Sequence, residues 1–246
     1  MSFMPKRAMV LAAGLGLRMR PVTLEMPKPL VTVGGRTMLD HALDRLEAVG
    51  VEEAVVNAHW LAEKIAAHLD ANPRRHLKLT LSREDVPLET GGGVKHALPL
   101  LGDDPFFVVN ADIVWLDGPV PALKRLADSW NPAVMDSLLL VTPTPFAIGY
   151  DGRGDYQMDP DGRLTHRPDL EVAPFVMAGV SIMTAAQFTD TPEGAFSNLL
   201  LWQRAEAAGR LFGVRHEGNW YHVGTPAAIP LVDTHLAAPA SREVVP

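Results

Sequence analysis

The sequence predicts an α/β fold in which a mostly parallel sheet is sandwiched by helices. Three observations carry that expectation. The candidate strands at Met9–Leu11, Ala54–Asn57 and Phe106–Val109 are continuous apolar runs, the second closed by Asn57, the pattern of parallel strands buried on both faces. Segments of helical periodicity alternate with them over the first 142 residues. The first strand runs directly into Gly14-Leu15-Gly16, which suits a tight turn at the carboxyl edge of a sheet.

The elements follow in chain order. Met38, Leu39, Ala42, Leu43, Leu46 and Val49 recur at helical spacing and Gly50 ends the run, so 38–49 is a helix. Ala54–Asn57 is a buried strand, 60–71 a second amphipathic helix, and Leu77–Leu81 a strand. Gly91–Gly93 is expected to form a turn before a short helix over Val94–Leu101. Phe106–Val109 is a strand ending at Asn110-Ala111-Asp112, followed by a helix at 119–130 and a strand at 137–142. Beyond about residue 150 the pattern changes. Asp159-Pro160-Asp161-Gly162 is a hairpin turn between short strands. Phe175–Met183 is a strand, 197–208 a helix, 211–223 a pair of strands with a turn near Gly218, and Pro226–His235 a last helix. We therefore expect one domain over 1–240, divided into a half at 1–142 and a half at 143–236, with 237–246 as a loose tail.

Composition narrows the function classes. The 246 residues suffice for one sizeable core, and 47% hydrophobic with 21% charged residues is ordinary for a globular protein. A net charge of −7 argues against a broad nucleic-acid surface. The absence of cysteine excludes disulfides and thiol chemistry. Lys6-Arg7 before an apolar run imitates a signal peptide, but Arg18 and Arg20 interrupt the run early. No stretch approaches the roughly 20 apolar residues of a membrane span. The expectation is a cytoplasmic protein with no membrane and no obligate protein partner.

The chemistry concentrates at residues 8–30, AMVLAAGLGLRMRPVTLEMPKPL. Glycines after a buried strand leave backbone N–H groups free for an anion, and phosphate is the usual one. Arg18, Arg20 and Lys28 supply cations nearby, and Lys28 is held between Pro27 and Pro29 on stiff backbone. The segment departs from the Walker loop, since no lysine directly follows the glycines, and from the dinucleotide fingerprint, since Met19 stands where a third glycine belongs. Asp112, after an apolar strand, is a metal candidate or a turn-capping residue.

The run LAAGLGLRMRPVT…PKPL resembles the signature of the sugar-1-phosphate nucleotidyltransferases, Leu-x-Ala-Gly-x-Gly-x-Arg-Leu-x-Pro-Leu-Thr followed by Pro-Lys-Pro-Leu. The resemblance implies a Rossmann-like fold and a reaction joining a nucleoside triphosphate to a sugar-1-phosphate, with release of pyrophosphate and with Mg²⁺ as cofactor. It implies that Arg18 and Lys28 contact phosphates and that Asp112 holds the metal. Ala12, Ala13, Gly14, Gly16, Asn57, Gly91, Gly92 and Asn110 would bind the nucleotide. His166, Arg167, Ala178, Gly179 and His222 would face the sugar phosphate. Arg20 is read as a surface or secondary contact.

Two departures from the family pattern stand out. The C-terminal segment Trp220-Tyr221-His222-Val223-Gly224-Thr225-Pro226 carries His where the family has a metal-binding Asp, and imidazole is a poor Mg²⁺ ligand. His166-Arg167-Pro168 replaces the Glu-Lys-Pro of many relatives, which keeps a cation but loses an acceptor for sugar hydroxyls. Length, the Glu89–Gly93 run and HVGTP are most like bacterial members that use UTP and N-acetylmuramate-1-phosphate in peptidoglycan recycling. The lactyl carboxylate of that sugar would seek Arg153, His166 or Arg167. Guanylyl transfer to mannose-1-phosphate, thymidylyl transfer to glucose-1-phosphate, cytidylyl transfer to phosphocholine and a catalytically impaired nucleotide-binding homologue remain alternatives. A dinucleotide-dependent oxidoreductase is disfavoured by Met19 and by the Pro-Lys-Pro segment.

Overall fold

The computed structural model describes residues 3–237, so most of the expected tail, 238–246, lies outside the described residues. In chain order the first half contains β1 (Arg7–Leu11), a small ribbon of β2 (Thr32–Val33) and β3 (Arg36–Thr37), α1 (Met38–Ala48), β4 (Glu53–Ala58), α2 (Ala62–Ala71), β5 (Lys78–Arg83), α3 (Glu89–Leu101), β6 (Phe106–Asn110), β7 (Ile113–Trp115), α4 (Ala122–Ser129) and β8 (Ser137–Pro143). The second half contains β9 (Ala147–Ile148), β10 (Tyr156–Met158), β11 (Leu164–His166), β12 (Phe175–Met183), α5 (Leu199–Ala207), β13 (Leu211–Arg215), β14 (Trp220–His222) and α6 (Ala228–Ala237).

Strands β5, β4, β1 and β6 lie side by side and parallel. Both faces of these strands are buried, which is why their sequences do not alternate in polarity. Ala8, Val10, Val56 and Phe107 point into a core shared with α1 and α2, whereas Met9, Val55, Phe106 and Val108 point into a second core under α3. The sheet then becomes mixed: β12 joins β6 antiparallel, β8 joins β12 antiparallel, and β13 joins β8 parallel. The expected hairpin at 159–162 is present as β10–β11, attached to the start of β12.

The helix at 38–49 begins with Thr37, whose hydroxyl accepts the Asp40 N–H at 3.0 Å. One element differs from expectation. Gly91–Gly93 are not a turn before a helix but lie inside the first turns of α3. A Cβ on Gly91 would strike the Phe196 ring, and one on Gly92 would strike the Gly194 carbonyl, so the glycines allow α3 to pack against the 194–196 loop.

The two strands of 211–223 form, but not with each other. β13 stays in the main sheet, while β14 leaves it to pair with β7 and β9 in a separate three-stranded sheet. That small sheet positions the site, because His222 registers with Ile113, the residue after Asp112.

Candidate active site

The carboxyl ends of β1, β4, β5 and β6 open into a cavity of about 420 Å³. Its lining includes Gly14–Leu17 from the loop after β1, Asn57 on β4, Glu84 after β5 and Asp112 after β6. Leu11, Ala13, Asn110 and Pro87–Thr90, where α3 begins, complete the wall. Ligands of open α/β sheets bind at this edge.

The loop after β1 is shaped for an anion. Among the described residues, the N–H groups of Ala13, Gly14, Leu15 and Gly16 donate to no protein acceptor. Gly16 has φ +60°, and a Cβ there would sit 2.9 Å from the Thr23 methyl and 3.2 Å from Lys28 Cβ. Thr23 Oγ1 donates to the Gly16 carbonyl at 2.7 Å, and Trp60 Nε1 donates to the Thr23 carbonyl at 2.9 Å. The loop is thus braced from the turn between β4 and α2 while its N–H groups stay free. Ala12 is the exception: its N–H donates to Asn57 Oδ1 at 2.6 Å, so its backbone is spent on the fold.

Asn57 is fully committed as well. Its Nδ2 donates to Glu84 Oε1 at 2.6 Å, and Glu84 Oε2 accepts the Leu88 N–H at 3.1 Å. Asn57 lines the cavity, yet it acts by tying together the ends of β1, β4 and β5. Glu84, only 5% exposed, was missed by the sequence reading. The strand preceding it was expected to stop at Leu81 but runs to Arg83, which brings Glu84 to the same edge as Asn57 and Asp112.

At the other end, Lys28 opens a tight turn and is 9% exposed. Its Nζ lies 2.8 Å from Oδ2 of Asp112, whose side chain is 35% exposed. Arg18 is exposed on the turn after Gly16 and forms no side-chain hydrogen bond or ion pair among the described residues. The His222 ring stacks on Trp220 at 6.1 Å and meets Tyr150 edge-on at 6.1 Å. Burial pushes its pKa below the ordinary value; Asp112 opposes this, and Lys28 and Arg18 add to it. Arg18, Lys28, Asp112 and a neutral imidazole are therefore close enough to share one electrostatic environment.

The second half closes around this group. Trp220 Nε1 donates to the Ala178 carbonyl at 2.9 Å. Gly179, at φ +76°, sits in the register shift of β12 where a Cβ would come within 3.3 Å of Asn110 Cβ. Tyr150, also unforeseen, accepts the Gly154 N–H at 3.2 Å. Arg167 Nε donates to the Gly154 carbonyl at 2.7 Å and its Nη1 to Pro168 at 3.2 Å.

Three expected residues are placed elsewhere. Gly91 and Gly92 do not line the cavity, because both N–H groups donate to the Phe196 carbonyl at 2.8 and 3.0 Å. His166 lies edge-on to buried Tyr156 at 5.5 Å, and its backbone N–H donates to Glu206 on α5. Neighbouring residues of an extended chain point to opposite faces, so His166 and Arg167 do not share one surface.

A divalent cation fits this site only with help from a ligand. Among the described residues no group of three or more His, Cys, Asp or Glu could hold a metal ion. Asp112 offers one carboxylate, and phosphate oxygens and water would complete the shell, the usual mode for Mg²⁺. No helix among the described residues is long and apolar enough to cross a membrane.

Residues 7–150 match the Nucleotidyl transferase family. The N-acetylmuramate alpha-1-phosphate uridylyltransferase of Caulobacter vibrioides is 46% identical over 240 residues, covering 96% of this chain and 99% of that protein. The protein of the same name from Neisseria meningitidis serogroup B is 35% identical, covering 89% and 93%. In fold, the chain is similar to a putative glucose-1-phosphate thymidylyltransferase from Bacillus anthracis, with a TM-score of 0.79 at 16% identity over 95% of this chain and 96% of that one.

Proposed function

The chain belongs to the nucleotidyl transferase family, and from that premise we propose that it joins UTP to N-acetylmuramate-1-phosphate, releasing pyrophosphate. Enzymes of this family condense a nucleoside triphosphate with a sugar-1-phosphate to give the nucleotide sugar. The observation that carries the site assignment is the convergence of four unpaired N–H groups, Arg18, Lys28 and Asp112 at one sheet edge. The choice of base and sugar is supported by the 46% identity to a relative of that specificity over nearly the whole chain.

In this reading a non-bridging oxygen of the sugar phosphate forms a bond to the α-phosphorus. The bond from that phosphorus to the α–β bridging oxygen breaks, and pyrophosphate leaves with the electron pair. The attacking oxygen is already anionic near neutral pH, so no general base is needed. The protein acts by positioning and by neutralising charge. The N–H groups of Ala13–Gly16 and the Arg18 guanidinium hold the β- and γ-phosphates, and Lys28 moves from Asp112 to the α-phosphate as substrate enters. A Mg²⁺ ion at Asp112 would supply further charge neutralisation to the phosphate oxygens. His222, neutral and stacked on Trp220, contacts the sugar phosphate beside Asp112.

The first half serves the nucleotide, and the second, through Tyr150, Ala178, Gly179 and Arg167, serves the sugar. For the lactyl carboxylate, Arg153 is better placed than Arg167. Arg153 is exposed and has one carbonyl partner, Leu170 at 3.1 Å, whereas Arg167 bonds two carbonyls. Such a product belongs to cytoplasmic salvage of a cell-wall sugar. The test is pyrophosphate release with Mg²⁺, crossing UTP, GTP, dTTP and CTP against N-acetylmuramate-, glucose-, mannose- and N-acetylglucosamine-1-phosphates. Turnover confined to UTP and the muramyl substrate is expected. A preference for another pair would replace the substrate assignment, and UTP binding without turnover on any pair would favour an impaired homologue.

A further inference from the structure

The His222 imidazole is held by two aromatic rings that reach it from different parts of the chain. Its plane lies within 5° of the Trp220 indole, with centroids 6.1 Å apart, an offset stack. Parallel stacking alone tolerates a range of offsets, so it sets the plane of a ring better than its place within that plane. Tyr150 supplies the second restraint. Its ring meets the imidazole at 65° and 6.1 Å, and the indole at 67° and 6.4 Å. Trp220 and His222 share β14, whereas Tyr150 arrives from the loop after β9.

That loop is folded around the phenol. Gly152 packs on it so closely that a Cβ would strike the Tyr150 ring. Two residues on, the Gly154 N–H donates to Tyr150 Oη at 3.2 Å, and the Gly154 carbonyl accepts from Arg167 Nε at 2.7 Å. Gly154 has φ +75°, and a Cβ there would strike the Ala173 carbonyl. Its neighbours are pinned where the chain enters β12. The Arg153 carbonyl accepts the Ala173 N–H at 2.7 Å, and the Asp155 N–H donates to the Phe175 carbonyl at 2.7 Å. Trp220 is anchored farther along the same strand, at Ala178. Both rings that flank the imidazole are therefore tied to β12 of the main sheet, while His222 itself belongs to the small sheet.

We propose that Tyr150 is a positioning residue that, braced by Gly154, holds the His222 imidazole against the sugar-phosphate subsite and so tunes use of the sugar phosphate and not of the nucleotide. The proposal rests on the role given to His222 above. Initial rates of wild type, Y150L, Y150F, H222A and Y150L/H222A test it, with N-acetylmuramate-1-phosphate varied at saturating UTP and the reverse. Y150L should lower kcat/KM for the sugar phosphate about five- to tenfold, the worth of one aromatic edge contact. Its KM for UTP stays within about twofold of wild type. Y150F keeps the ring edge and loses only the Gly154 brace, so its loss is smaller. On the H222A background, Y150L should cost less than about twofold, because the group it positions is gone. An equal loss on both backgrounds would make Tyr150 a direct sugar contact or a fold residue and overturn the proposal. Carbon–proton NMR spectra of the histidine rings add a readout independent of turnover. The His222 signal, identified as the one missing from H222A, should shift or broaden in Y150L; an unmoved signal would overturn the proposal even if rates fell. If H222A matches wild type in kcat/KM, the proposal falls while nucleotidyl transfer stands. Absence of turnover with wild type defeats the functional reading instead, and the His222 signal still decides whether Tyr150 positions the ring.

Discussion

Lys28 Nζ and Asp112 Oδ2 form a 2.8 Å ion pair across 84 residues of sequence, between a proline-clamped turn and the end of β6. The pair is asymmetric. The lysine side chain is 10% exposed and the aspartate 35% exposed, so water screens the carboxylate and the pair contributes little to folding. Its significance is positional: the same ammonium is available to a phosphate that arrives beside Asp112.

From that asymmetry, Lys28→Met is expected to leave Tm nearly unchanged and to lower kcat/KM roughly 10²–10³-fold, the range for losing one preorganised charge at a reacting centre. Lys28→Arg should restore little, because a planar fork does not replace a compact ammonium. Thermal melts and initial-rate measurements check this. A large loss of Tm in the methionine variant would mean that the pair is structural.

Asn57 and Glu84 predict the opposite balance. Both are buried and every polar atom of the Glu84 carboxylate is in use. Glu84→Ala leaves Asn57 Nδ2 and the Leu88 N–H without an acceptor, at a cost of about 1–3 kcal/mol each where burial persists. Glu84→Gln retains one acceptor and should lose about half as much. Chemical denaturation gives the order wild type, Gln, Ala. A loss of nucleotide affinity with undiminished stability would instead make Glu84 a direct ligand contact.

These two pairs also show where the sequence was legible. Continuous apolar strands and strand-end polar residues gave the parallel sheet and placed the glycine loop after β1 and Asp112 at one sheet edge, because local pattern and burial coincide there. The ribbon β2–β3 and strands β7 and β9, of two or three residues each, are too short for periodicity to register. The glycines of α3 read as a turn because their cause, close packing on Phe196 and Gly194, is more than 100 residues away. Tyr150 and Glu84 carried no local signal, since each acquires its role from a neighbour distant in sequence.

His216 provides a pH-dependent prediction away from the phosphates. It is 3% exposed, and burial pushes its pKa below the ordinary value, opposed by a hydrogen bond to the Asn219 carbonyl and by Asp117. The folded state therefore binds fewer protons than the unfolded state in the window below the ordinary histidine value of about 6.5. Stability rises with pH through that window and levels off above it, and it falls as pH drops toward the depressed folded value. His216→Asn should flatten this part of the stability–pH curve measured by urea denaturation. An unchanged slope would assign the dependence to other groups.

His222 beside Asp112 leads to the prediction with the most direct bearing on the metal. Imidazole is a weak ligand for a hard cation, so a Mg²⁺ ion at Asp112 would find one good protein ligand and would take the rest of its shell from phosphate and water. His222→Asp introduces a second carboxylate where the neutral ring now stacks on Trp220. The half-saturating Mg²⁺ concentration should fall several-fold, while stacking lost from Trp220 and Tyr150 costs about 0.5–1.5 kcal/mol of stability. His222→Ala loses the stacking without gaining a ligand, so its Mg²⁺ dependence should stay that of wild type. Activity titrated with Mg²⁺ and melts taken with and without UTP separate the two effects. If the aspartate variant needs as much Mg²⁺ as wild type, position 222 does not reach the metal and its ring serves the sugar phosphate alone.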